Sequence, residues 1–166
     1  QRQWCGTVGK TENCIVTVHL AYATGDFHCL LDGDLFLPES WSADRDRCRA
    51  AGIPDDVVYR PKWKIALELL DRARGNGVVF DWLTFDEGYG GKPDFLRELA
   101  GRGQTLVGEV PTTFTGWIRE PRVTERPFRR GRGRGRKTPR LTTGSRPAIS
   151  VENMLRYSPE LRDQAW

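Results

Sequence analysis

From Cys14 to Tyr22 the chain reads CIVTVHLAY, a run rich in β-branched side chains with no helical repeat, and this predicts a strand. Ala23-Thr24-Gly25-Asp26 has turn chemistry and Phe27 to Leu31 resumes the apolar run, so the two halves are expected to pair as a β-hairpin. Asp32-Gly33-Asp34 predicts a second turn, followed by a short extended piece, Leu35-Phe36-Leu37, that Pro38 closes. Residues 39–56 are mostly polar, and Ser42 is a candidate N-cap for a short charged helix ending near Gly52.

At Pro61 the repeat changes. Trp63, Ala66, Leu67 and Leu70 fall at i, i+3, i+4 and i+7, with Lys64, Glu68, Asp71 and Arg72 on the other side, which predicts an amphipathic helix ending at Gly75-Asn76-Gly77. Val78 to Phe85 (VVFDWLTF) is almost continuously apolar, the pattern of a central strand buried on both faces. Gly88-Tyr89-Gly90-Gly91 predicts a loop. Pro93 then suits a first helical position, Phe95, Leu96, Leu99 and Ala100 give an apolar face, and Gly101 and Gly103 end the helix. Thr105 to Val110, stopped by Pro111, predicts the next strand, so residues 78–110 should cross over right-handed into a parallel pair. The fold class is α/β: a mixed sheet in which an antiparallel hairpin precedes helix, strand, helix and strand.

Composition sharpens this picture. At 166 residues the chain has room for one ordinary core, and no apolar run approaches the roughly 18 residues of a membrane span. Gln1-Arg2-Gln3-Trp4-Cys5 has neither an initiator Met nor a signal pattern and reads as the inside of a longer frame. Cys5, Cys14, Cys29 and Cys48 form no CxxC pair and are expected to be reduced thiols; His19, in a strand-like run, and His28, beside a turn, are expected to be structural. Charge is unevenly placed. Residues 119–140 hold ten Arg or Lys against two Glu, so with a total of +4 the remainder of the chain carries −4. Arg129 to Arg136 (RRGRGRGR), flanked by Pro121, Pro127, Pro139 and Pro147, cannot bury enough apolar surface to order itself and reads as a disordered linker or insertion. Its Arg129, Arg130, Arg132, Arg134 and Arg136, with Lys137, suit contacts to nucleic-acid phosphates without base readout, the alternative being a solvated linker. Residues 151–166 hold a helix candidate that Ser158-Pro159-Glu160 could start.

In open α/β sheets the functional crevice lies at the carboxyl ends of parallel strands, and Asp86 sits where the 78–85 run ends in the glycine-rich loop. Its acceptor-only side chain suits Mg²⁺, although turn aspartates are common for structural reasons alone. Tyr89 either stacks on nucleic acid or braces the loop. Trp41 and Trp63 read as packing residues, Asp32 and Asp34 as turn formers, and Asp81 as a mid-strand acid needing a partner. Glu109 is placed inside the second strand, and Glu120 and Glu152 fall in weakly patterned sequence.

Several ordered blocks carry a resemblance. Arg2-Gln3-Trp4-Cys5-Gly6 with Gly9-Lys10 and Asn13-Cys14, then Leu35 to Trp41 (LFLPESW), Arg47-Cys48, Ala51-Gly52-Ile53-Pro54, and Phe85-Asp86-Glu87-Gly88-Tyr89-Gly90 together resemble the catalytic core of insertion-sequence transposases. These belong to the DDE superfamily endonucleases, and the likeness covers about residues 1–117. It implies a ribonuclease-H-like fold, here incomplete, and DNA cleavage and strand transfer by two Asp and one Glu holding divalent ions, Mg²⁺ or Mn²⁺. Asp86 matches the second Asp. The first is expected on a strand ahead of residue 2 and the Glu on a helix beyond the basic segment, so the chain is expected to be inactive alone. The implied partners are transposon-end and target DNA and a second copy of the enzyme, in a bacterial cytoplasm without membrane association. The expected division is a partial core over 1–117, a basic linker over 118–148 and the start of the remaining core over 149–166. The competing expectation is a noncatalytic nucleic-acid-binding protein acting through the Arg-Gly segment; a third is an unrelated metal-dependent hydrolase gathering Asp86, Asp32 and Asp34.

Overall fold

The computed structural model describes residues 2–124 and 140–159. The chain divides into two compact units, Gln1–Gly108 and Glu109–Trp166. The first opens with β1 (Arg2–Cys5) and β2 (Lys10–Asn13), an antiparallel hairpin that the apolar pattern does not mark. The expected hairpin follows as β3 (Val16–Thr24) and β4 (Phe27–Phe36). Its two-residue connection places Gly25 at φ 53°, a conformation costly for other residues and suited to tight hairpin turns.

Asp32-Gly33-Asp34 is not a turn. The register slips between Leu20 and Ala21, which face Asp32 and Leu30, and the skipped Leu31 is a β-bulge that lets β4 continue to Phe36. Asp32 and Asp34 stay in the strand because guanidinium groups compensate them. Arg72 Nε donates to Asp32 at 2.9 Å and Arg60 Nη2 to Asp34 at 3.0 Å.

Next come two short helices, α1 (Glu39–Ser42) and α2 (Arg45–Ala50). Ser42 ends the first rather than capping the second, and its Oγ accepts the Tyr59 N–H at 2.8 Å. Asp44 is the N-cap of α2, accepting the Arg47 N–H at 3.0 Å. Cys48 is fully buried there, its Sγ donating to the Trp41 carbonyl.

Helix α3 (Lys62–Gly75) begins after Pro61, and its face is wider than the Trp63, Ala66, Leu67, Leu70 stripe. Ile65 and Leu69 pack with Val18, while Leu67 and Leu70 pack with Phe95 and Leu99. Ala66 and Tyr89 touch both clusters. One helix thus covers two pairs of strands, which requires apolar residues on two flanks.

The long central strand reduces to β5 (Leu83–Phe85). Val79 is 82% and Trp82 59% exposed, so residues 78–82 lack the burial that their apolar run predicts, and Asp81 is likewise exposed outside the strand. The glycine-rich segment forms a helical turn, α4 (Glu87–Gly90), before α5 (Pro93–Gly101) buries Phe95 and Leu99; Ala100 is exposed. Strand β6 (Leu106–Gly108) then pairs parallel with β5, Phe85 opposite Gly108. The parallel crossover pair is as expected, although Glu109 follows the strand instead of lying in it.

Arg102, just past α5, grips Asp71 of α3 through Nε and Nη2 at 2.9 and 3.0 Å. The hydrogen bond first, and the guanidinium charge with it, hold the Asp71 carboxyl below its usual range. A lowered folded-state pKa gives stability that is present above the unfolded pKa, about 4, and lost as pH falls through the folded value. Asp71 is 49% exposed, so screening limits the pair to about 0.5–1 kcal/mol. Asp71→Asn should therefore cost that much in urea melts at neutral pH and progressively less as pH is lowered below about 4; an undiminished cost in strong acid would contradict the ion-pair account.

In the second unit, β7 (Thr115–Gly116), β8 (Val123–Thr124), β9 (Arg140–Leu141) and β10 (Ile149–Ser150) form two antiparallel pairs, β7 with β10 and β8 with β9. Ser150 caps α6 (Val151–Tyr157), accepting the Asn153 N–H at 3.3 Å. Met154 is buried, with its methyl near Gly116. This helix precedes Ser158; Pro159, at the expected start of a helix, is also helical, and residues 160–166 lie outside the described ones. Among the described residues the strands make five separate two-stranded pairs, which corrects the expectation of one mixed sheet. No helix among them is long and apolar enough to cross a membrane.

Candidate functional site

Asp86 is the first residue after β5, and its position follows from local packing. Phe85 turns its ring over Gly108 and meets Phe95 edge-on at 5.1 Å, which anchors the end of the strand. The backbone leaves in extended form at Asp86 (φ −82°, ψ 176°) and enters α4 directly. One Asp86 oxygen accepts the Gly88 N–H at 2.9 Å, so the carboxylate is oriented while the residue remains exposed. Tyr89 packs against Phe95 at 5.6 Å, in the bracing position. Burial first, and the Asp86 charge second, raise its phenol above the usual pKa.

A cavity of about 140 Å³ opens beside Asp86, lined by His19 and Leu20 of β3, Ala66 and Leu69 of α3, and Thr84 of β5 among others. Sequence reading missed this neighbourhood because His19 and Asp86 belong to elements with no shared periodicity. The His19 Nε2 and the Thr17 hydroxyl lie 2.7 Å apart, while the His19 ring rests over Gly33.

The other candidate acids are committed elsewhere or stand apart. Asp32 and Asp34 pair with Arg72 and Arg60, and Glu152 pairs with Arg156 along α6 at 3.5 Å. Asp81, Glu109 and Glu120 are exposed. Trp41 lies under the Arg47 guanidinium at 4.0 Å and Trp63 packs against the α3–α5 core, so both serve packing. His28 is exposed at the hairpin turn, and all four cysteines are free thiols. Arg129, Arg130, Arg132, Arg134, Arg136 and Lys137 lie outside the described residues.

A divalent ion at a nuclease centre needs several oxygen ligands. Among the described residues no three His, Cys, Asp or Glu are gathered in a group able to hold one, so Asp86 with its immediate neighbours does not amount to such a site. What the arrangement offers is one oriented, accessible carboxylate at the end of a parallel strand, above a small cavity.

Comparison with known proteins adds the family. No curated protein and no solved structure matches the chain. The family model described as DDE superfamily endonuclease matches residues 1–166, and the chain accordingly belongs to the DDE superfamily endonucleases.

Proposed function

We propose that the chain is part of a DNA transposase that cleaves phosphodiesters and carries out strand transfer of an insertion sequence, with Asp86 as the second Asp of its carboxylate set. The observation that carries this reading is the placement of Asp86 at the carboxyl end of β5 in a chain matched over its whole length by this family. Members of the family carry a ribonuclease-H-like core and work on DNA with divalent ions, Mg²⁺ or Mn²⁺ here. The remaining ligands come from outside the described residues, and the chain is inactive alone. In the proposed division into a core over 1–117, a basic linker or insertion over 118–148 and returning core from 149, the β7–β10 pairing, which brings residues 115–116 beside 149–150 within the second unit, supports only the reading of 118–148 as an excursion.

Two measurements test this. Supercoiled plasmid incubated with the 166-residue protein and Mg²⁺ or Mn²⁺ should remain uncut; nicking that Asp86→Ala abolishes would show a complete ligand set, and nicking that survives it would remove Asp86 from the chemistry. In amide spectra titrated with Mn²⁺, the signals of Glu87 to Gly90 should broaden in the wild type and stay sharp in Asp86→Asn. Equal broadening in both would sink the assignment.

A further inference from the structure

The second unit contains a cleft of about 430 Å³ between residues 117–122 and 142–147, in the size range of small-ligand sites. Trp117, Arg119, Arg122, Thr142, Ser145 and Arg146 are among its lining residues. Its walls are held by hydrogen bonds. The Arg122 carbonyl accepts the Thr142 N–H at 2.9 Å and the Ser145 hydroxyl at 3.0 Å, and the Thr142 and Ser145 hydroxyls lie 2.7 Å apart. Gly144, at φ 84°, makes the turn between them. From the opposite wall the Trp117 indole N–H donates to the Arg146 carbonyl at 3.0 Å, which fixes the ring while leaving the residue 44% exposed.

Several polar backbone and hydroxyl groups are thus engaged in the walls, and the remaining lining offers an aromatic surface with three arginines, Arg119, Arg122 and Arg146, against one carboxylate, Glu120. Among the described residues neither Arg122 nor Arg146 has an ion-pair partner for its side chain, and both are exposed. An oriented indole with flanking guanidinium groups is the chemistry that holds an unpaired nucleotide: the base stacks, the phosphates pair with arginine. Duplex DNA keeps its bases stacked on one another and cannot present one to such a ring. The β8–β9 pair further joins residues 123–124 to 140–141, directly beside Arg122 and Thr142 of the cleft.

We propose that this cleft is a binding site for an unpaired stretch of a DNA strand, with Trp117 stacking on a base and Arg122 and Arg146 holding the adjoining phosphates. The choice of DNA rests on the transposase reading; the site itself does not involve Asp86. Binding is to be measured in EDTA, by anisotropy of labelled single-stranded and duplex DNA of about twelve nucleotides, so that a failure of the Asp86 reading leaves the result untouched. Trp117→Ala should weaken single-strand binding about tenfold and change duplex binding less than about twofold, the fold-change that follows from loss of one stacked base. Trp117→Phe should keep most of the affinity, and Arg122→Ala with Arg146→Ala should weaken single-strand binding and flatten its salt dependence. The Arg122→Ala, Arg146→Ala double variant decides the matter if Trp117→Ala misfolds. Unchanged single-strand affinity in that double variant, or in folded Trp117→Ala, overturns the proposal. So does an equal loss on duplex, tighter binding of RNA of the same sequence, or displacement of the oligonucleotide by inorganic phosphate alone.

Discussion

Gly108→Ala is expected to destabilise the first unit by about 1–3 kcal/mol and to disturb Asp86, far more than an added methyl group costs on an open surface. A Cβ at this position would lie 2.1 Å from Phe85 Cε2 and 2.4 Å from its Cζ, well inside contact distance. The ring cannot yield freely, because it is held edge-on against Phe95, itself 2% exposed. The strain therefore passes to the β5–β6 pairing, whose last residue on one side is Phe85. Urea melts of a double-mutant cycle with Phe85→Leu provide the check. In the Phe85→Leu background the smaller side chain should accept the methyl group and most of the cost should vanish. An equal cost in both backgrounds would show that the glycine serves backbone conformation and not the ring.

Leu99→Ala is expected to cost about 3 kcal/mol, enough to threaten a domain of ordinary stability. Leu99 is 0% exposed and lies in the cluster with Leu67, Leu70 and Phe95, so truncation leaves a cavity lined from α3 and α5 that the surrounding helices cannot close. Leu96→Ala, on the half-buried side of the same helix, should cost less than half as much. The comparison is made in urea at neutral pH. A loss below about 1 kcal/mol for Leu99→Ala would mean that α5 repacks and that this cluster is not the centre of the unit.

Much of the first unit could be read from the chain because its signals are local. The β3–β4 hairpin follows from the β-branched run and Gly25, helix α3 from its repeat, and α5 from Pro93 with Phe95 and Leu99. Asp86 was legible as a strand-end acid because the apolar run stops at Phe85, whichever residues of that run pair. The misreadings share one cause: composition records an aversion to water but not the partner that relieves it. VVFDWLTF reads as eight buried residues, yet only Leu83 to Phe85 meet β6. Asp32-Gly33-Asp34 has turn composition, and the guanidinium groups that keep it in a strand come from residues 40 and 26 positions away. Ile65 and Leu69 escaped the one-faced helix reading because that reading allows for a single partner. The cavity beside Asp86 and the Trp117 cleft arise between segments distant in sequence, and two-residue strands such as β7 and β10 carry no period at all.

The double duty of α3 bears finally on how the first unit melts. A 14-residue helix is marginal in water by itself, so its helicity is supplied by what its flanks bury. Losing the hairpin strips Ile65 and Leu69 of their cover and frays the rod on which Leu67 and Leu70 depend, and losing the parallel pair does the converse. Two strand pairs that share no hydrogen-bonded ladder are in this way made thermodynamically interdependent, and the unit is expected to unfold in a single cooperative step instead of shedding one pair at a time.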